Sequence, residues 1–124
     1  MNKVQERLIK DVLRRLGSNN SYQGFRYVIH CVAMVLEEDE LMNCVKVLYV
    51  DAAAKYHTTQ KCVERNIRTL SEIAWNGGYR EILYEVAGYS LKERPTSREF
   101  IGILTNYVKS KANEREEEQQ QEAK

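Results

Sequence analysis

The residues with most to offer chemically stand in one short run, "TTQKCVERNIR" (58–68). Lys61, Glu64, Arg65 and Arg68 recur at spacings of three, one and three, which gathers them on one side of a helix. Val63, Ile67, Leu70, Ile73 and Ala74 fall on the other side. An arginine fork matches guanine O6 and N7 in the major groove, and a glutamate accepts from a cytosine amino group. Thr58 and Thr59, with Gln60 and the first backbone N–H groups of the helix, suit a phosphate oxygen. This is the chemistry of reading duplex DNA rather than of making bonds. A solvated surface helix would carry the same pattern, and spacing alone does not choose between them.

Other chemistries find little support. The carboxylate pairs Glu37-Glu38 and Glu116-Glu117 lie at exposed helix ends, where general acid–base work lacks a pocket. No nucleophile–base pair, Gly-rich phosphate loop or metal-ligand spacing occurs. Cys31, Cys44 and Cys62 form an odd set without a CxxC spacing and read as buried or half-buried free thiols. The histidines, His30 and His57, are far apart in sequence. Catalysis, a metal and a cofactor are therefore not expected. Trp75 reads as a core residue, and the scattered tyrosines as packing groups with their hydroxyls at the surface.

At 124 residues the chain suffices for one domain with a real core. A single Pro, few Gly and 30% charged residues indicate helix. No run of about 18 apolar residues exists to span a membrane, and the N-terminus has no signal-peptide core. A cytoplasmic protein is expected. The net charge of +1 averages unlike parts: "NEREEEQQQEAK" (113–124) holds five Glu against Arg115 and Lys124, a net of −3, so residues 1–112 carry +4. A mildly basic body permits a DNA partner without demanding one.

Helical periodicity runs almost throughout. A first helix over about 3–16 has Val4, Leu8, Val12, Leu13 and Leu16 on one side, with Gly17 as a left-handed C-cap. A second, about Tyr22 to Glu38, has an apolar set too wide for a surface helix and reads as the central one. The third spans about Leu41 to Tyr56, and its Ala52, Ala53 and Ala54 allow close approach. Thr58 or Thr59 caps the fourth, which ends at Asn76-Gly77-Gly78. A short fifth helix around "YREILYEVAGY" precedes a sixth from Ser97 to about Lys111, opened by the capping box Thr96–Glu99. Residues 1–112 thus form an all-α, six-helix bundle, and 113–124 a Glu/Gln-rich tail that is frayed helix or disordered.

The third and fourth helices, joined by a short turn, fit a helix-turn-helix without a wing. That packing requires a small residue, a turn residue tolerating positive φ and a β-branched residue, and Ala53, His57 and Val63 stand in these places. The recognition helix, about 59–76, would lie in the major groove with its N-terminal residues at the base edges.

The stretch "VLYVDAAAKYHTTQKCVERNIRTLSEIAWNGG" (47–78) resembles the helix-turn-helix of the sporulation response regulator of endospore-forming bacteria, the stage zero sporulation protein A family. The likeness extends through "GYS" (88–90) and "RPTSREFI" (94–101), and upstream through "IKDVLRRLG" and "YQGFRYVIHCVAMV", about residues 8 to 111 in all. It implies a six-helix effector domain that regulates transcription of sporulation genes from a short DNA box. It also implies tandem boxes bound by two copies, and contact with an RNA polymerase sigma factor. By this resemblance Glu64, Arg65 and Arg68 are base and phosphate readers.

The chain departs from the pattern in places. Cys62 stands where an Arg that contributes to recognition is expected, Lys61 where a small polar residue is usual, and Val50 where Pro is typical. The connection from Gly88-Tyr89 to Pro95-Thr96 is shorter. An Arg contact gives about 1–3 kcal/mol of base discrimination, so Cys62 bears directly on the box that is read. The family's receiver domain has no room here, which leaves either an excised effector domain or a stand-alone relative; Met1 and the tail lean to the latter. The rival to DNA reading is a helical interaction domain that kept the fold and lost specific DNA binding, as an antagonist or assembly partner.

Overall fold

The computed structural model describes the backbone of residues 1–122 and the side chains of residues 1–118. Six α-helices follow one another: α1 (Lys3–Arg15), α2 (Gln23–Glu37), α3 (Val45–Lys55), α4 (Gln60–Asn76), α5 (Arg80–Ala87) and α6 (Ser97–Glu122). There is no strand among the described residues. The all-α six-helix arrangement is as the periodicity predicts.

Helix ends follow local chemistry. Asn2 caps α1 with a full capping box, its side chain accepting from Gln5 N while Gln5 Oε1 accepts from Asn2 N. The Thr96–Glu99 box opens α6 in the same way. Gly17 adopts φ +92° just past α1, a conformation that glycine alone takes at little cost. Tyr79 lies so close over it that any Cβ would meet the ring.

The core gathers Leu8, Ile9, Val12 and Leu13 of α1, Val28, Cys31, Val32 and Val35 of α2, and Leu48 and Ala52 of α3. Val63, Ile67, Leu70 and Ala74 of α4 join Phe100, Ile101, Leu104 and Val108 of α6 in the same cluster. Helix α2 is its centre, touching α1, α3, α4 and α6. Gly24 lets α2 reach α4, because a Cβ there would overlap the carbonyl oxygen of Asn66 and lie 2.9 Å from its carbon. His30 Nε2, on the outer side of α2, is 2.7 Å from Asp51 Oδ2 of α3 and ties those helices at the surface.

The structure corrects the expected boundaries in three places. The third helix does not begin at Leu41: Asp39–Asn43 form a 3-10 segment, and Cys44, at φ −143°, breaks the chain before α3 starts at Val45. That break also leaves Cys44 exposed, against the expected burial, while Cys31 is buried and Cys62 half-buried. In α4, Ile73 is only half-buried and Ser71 is fully buried, its Oγ donating to Pro95 O at 2.7 Å. Finally, α6 does not stop near Lys111 but continues to Glu122. Its residues 113–118 are exposed, and a run of Glu, Arg and Gln extends a helix by propensity without an apolar face. Ala123 and Lys124 of the expected tail lie outside the described residues.

Two consequences can be measured. Gly24→Ala should lower stability by about 1–3 kcal/mol, because its methyl meets backbone rather than a movable side chain; urea denaturation checks this, and a parent-like midpoint would refute the close α2–α4 approach. Burial pushes the Cys31 thiol up to about 12, so it stays neutral and unreactive at ordinary pH. A thiol reagent at pH 8 should therefore titrate Cys44 quickly and reach Cys31 only after denaturant is added.

Candidate nucleic-acid interface

The turn between α3 and α4 has the geometry that its sequence demands. His57 adopts φ 54°, alone among the non-glycine residues described. Thr58 N donates to Ala53 O at 3.0 Å, and Tyr56 N to Ala52 O at 3.0 Å, so the end of α3 is closed by its own turn. Ala53 and Val63 are buried on either side, where a larger residue at position 53 would push the helices apart. Thr59 is the N-cap of α4, accepting from Cys62 N at 3.1 Å. Thr58 is half-buried and Thr59 exposed.

With one side of α4 in the core, the other side sorts its polar residues by position. Lys61 and Arg65 are exposed on the outermost line and form no ion pair among the described residues. Arg68 lies between two carboxylates of its own helix, 3.6 Å from Glu64 and 4.0 Å from Glu72. Glu64 is half-buried, and Ser97 Oγ at the start of α6 lies 3.1 Å from its Oε1 and 3.3 Å from its backbone oxygen. The carboxylate is thereby held toward α6. Cys62 is turned from the outermost line toward α2, where Asn66 Nδ2 donates to its carbonyl at 2.7 Å and approaches its Sγ at 3.3 Å.

Gln60, Lys61, Glu64, Arg65 and Arg68 line one side of an open groove of about 570 Å³ between α4 and the start of α3. Val45, Lys46 and Tyr49 line the other. Burial pushes the Tyr49 hydroxyl up to about 12, so Tyr49 stays neutral. Lys46 adds a cation that the sequence reading did not assign, since it lies on α3 and only the packing of α3 against α4 brings it to the groove. Of the eight residues expected at the interface, five line this groove. Cys62 and Thr59 do not, and Thr58 faces a second hollow on the α2 side.

Two absences bear on alternatives. No cluster of His, Cys, Asp or Glu suited to a metal occurs among the described residues. No helix among them is long and apolar enough to cross a membrane.

Among protein families, the model described as "Sporulation initiation factor Spo0A C terminal" matches residues 9–108.

The turn supplies its own test. A β-branched side chain at φ 54° clashes with its own backbone, so His57→Val should cost about 1–2 kcal/mol, whereas His57→Gly should stay within about 1 kcal/mol of the parent. Denaturation midpoints read both, and equal losses for the two variants would show that φ at position 57 does not govern the turn.

Proposed function

The chain belongs to the family of sporulation initiation factor Spo0A C-terminal domains, and from that premise we propose that it is a transcription regulator that reads duplex DNA with α4 in the major groove. The family is one of DNA-binding effector domains in sporulation regulation and not a family of enzymes. The observation that carries the finer reading is the pair Lys61 and Arg65, exposed and without a carboxylate partner among the described residues, on a helix whose opposite side is core.

In this reading Arg65 donates bidentately to a guanine, as its planar fork allows. Arg68 stays in place through Glu64 and Glu72, and it reaches a base edge or a phosphate by exchanging one carboxylate for it. Glu64 accepts from a cytosine amino group with the oxygen not held by Ser97. Lys61, a flexible point charge, and Lys46 across the groove neutralise phosphates. Thr58, Thr59 and Gln60 contribute hydroxyl and amide donors at the N-terminus of α4, where the helix dipole favours an anion. Cys62 offers a weak donor at the edge of this surface, so the box it helps to read is relaxed or altered relative to the family's. Sigma-factor contact, pairing of two copies on tandem boxes and a place in the bacterial nucleoid are part of the same proposal and rest on the resemblance.

One observation favours the rival reading of an interaction domain without specific DNA binding: Glu64 and Arg68 are already satisfied within the chain. Selection of bound duplexes from a random pool separates the two. The parent should enrich one short sequence, and Arg65→Ala should lose about 1–3 kcal/mol of preference for it over a scrambled duplex while its melting temperature stays put. Lys61→Ala should weaken binding to both duplexes alike and reduce the salt slope by about one unit. Cys62→Arg should enrich a more stringent sequence than the parent does. A parent that enriches nothing would leave the interaction domain as the better account.

A further inference from the structure

The second hollow lies on the other side of α4 from the Lys46 groove. It measures about 240 Å³ and is lined by Gln23, Arg26, Tyr27, Tyr56, His57 and Thr58. Two cations converge on one aromatic ring there: the Arg26 guanidinium is 5.9 Å and Lys55 Nζ 5.3 Å from the Tyr56 centroid. Neither forms an ion pair among the described residues. For Lys55 the nearest candidate on its own helix is engaged elsewhere. Asp51 stands one helical turn before Lys55, the ordinary place for a partner, but its carboxylate is taken by His30 at 2.7 Å.

The remaining groups are donors too. Tyr27 Oη donates to Gln23 Oε1 at 3.1 Å, which leaves the Gln23 amide N–H groups for another acceptor. The Thr58 hydroxyl and the His57 ring sit beside them, and no carboxylate among the described residues lines the hollow. Such a concentration of donors and positive charge suits an anion.

We infer that this hollow is a DNA-backbone phosphate site, in which Arg26, which lines it, and Lys55, which lies beside it over the Tyr56 ring, hold the strand on the flank of α4 opposite Lys46. Position argues for the backbone as source. Helix α2 packs on the Asn66 side of α4, through Gly24, while Lys46 lies on the Glu64 and Arg68 side. A helix in a major groove about 12 Å wide has one sugar–phosphate strand on each flank. Cations on both flanks fix its depth and register without reading sequence. The inference rests on the DNA-reading proposal and adds, through Arg26 of α2, a strand contact from outside the helix-turn-helix.

Salt dependence tests it separately from base reading. Affinities of the parent, Arg26→Ala, Lys55→Ala and the double variant are measured over a salt series, on the duplex enriched by selection and on its scrambled form. Each single variant should weaken binding to both duplexes by the same factor. Each should also lose about one unit of salt slope, and the double about two, so a fourfold rise in salt costs a single variant about 3.5-fold less affinity than it costs the parent. Arg26→Lys should keep the slope, and circular dichroism melting should show all variants folded, since both side chains are exposed. Unchanged slopes in the Arg26 and Lys55 variants, with Arg65→Ala still losing its preference, would overturn the phosphate site alone. Loss of preference for the enriched duplex over the scrambled one in the Arg26 variant would also overturn it, because a backbone contact carries no sequence information. A parent that binds neither duplex would bring down this site together with the DNA-reading proposal.

Discussion

The approach of α2 to α4 is the contact on which the rest of the molecule leans. Gly24 brings the start of α2 against the backbone of α4 at Asn66, and no other residue could stand there without parting the helices. With that distance set, Leu70 and Ile67 reach the central cluster, and α4 is held along its length rather than at its ends. The same contact puts Arg26 and Gln23 beside the turn. A packing constraint on one glycine thus decides where the Arg26 cation of α2 presents itself.

Positioning of α4 at its other edges depends on a few polar anchors. Ser71 donates to Pro95 O, and Ser97 donates to Glu64, so the connection into α6 is tied to α4 at two points about two turns apart. His57 accepts a left-handed backbone, which turns the chain sharply enough for Val63 to meet Ala53. These contacts are buried or half-buried, where a satisfied hydrogen bond matters most because the unsatisfied alternative is costly. No buried side-chain nitrogen or oxygen among the described residues lacks a partner. A rigid mount of this kind is what a base-reading helix requires, since hydrogen-bond readout tolerates little displacement.

Charge is distributed unevenly around this mount. Elsewhere on the surface five cations sit in pairs, Lys10 with Glu6, Arg14 with Asp11, Arg15 with Glu85, Lys109 with Asp39 and Lys111 with Glu114, while Lys3, Arg7, Lys92 and Arg98 have no such partner among the described residues. Around α4, Arg26, Lys46, Lys55, Lys61 and Arg65 have no such partner among the described residues. Net charge therefore understates the field at this face. Surface pairs add little to stability, whereas the cations gathered beside α4 contribute to the potential of one face.

Much of this was legible in the order of the residues. The apolar periodicity gave six helices, Thr59 and the Thr96–Glu99 box marked helix starts, and Ala53, His57 and Val63 announced the turn, because each of these depends on neighbours within about a dozen positions. Local pattern was blind where partners are distant. It placed Cys62 among the outward readers, yet that residue is half-buried on the flank of α4 that it shares with Asn66. It exchanged Ile73 for Ser71, since only the passage of the Pro95 loop decides which flank of α4 is covered. It missed the break at Cys44, and with it the exposure of that thiol. It could not see that Ser97 holds Glu64, that His30 draws Asp51 away from Lys55, or that Lys46 and Arg26 stand on opposite sides of one helix. Backbone hydrogen bonding and side-chain periodicity are written locally along the chain. Which charges are left unpaired, and which way they face, depends on contacts between residues tens of positions apart, and only the folded packing decides those.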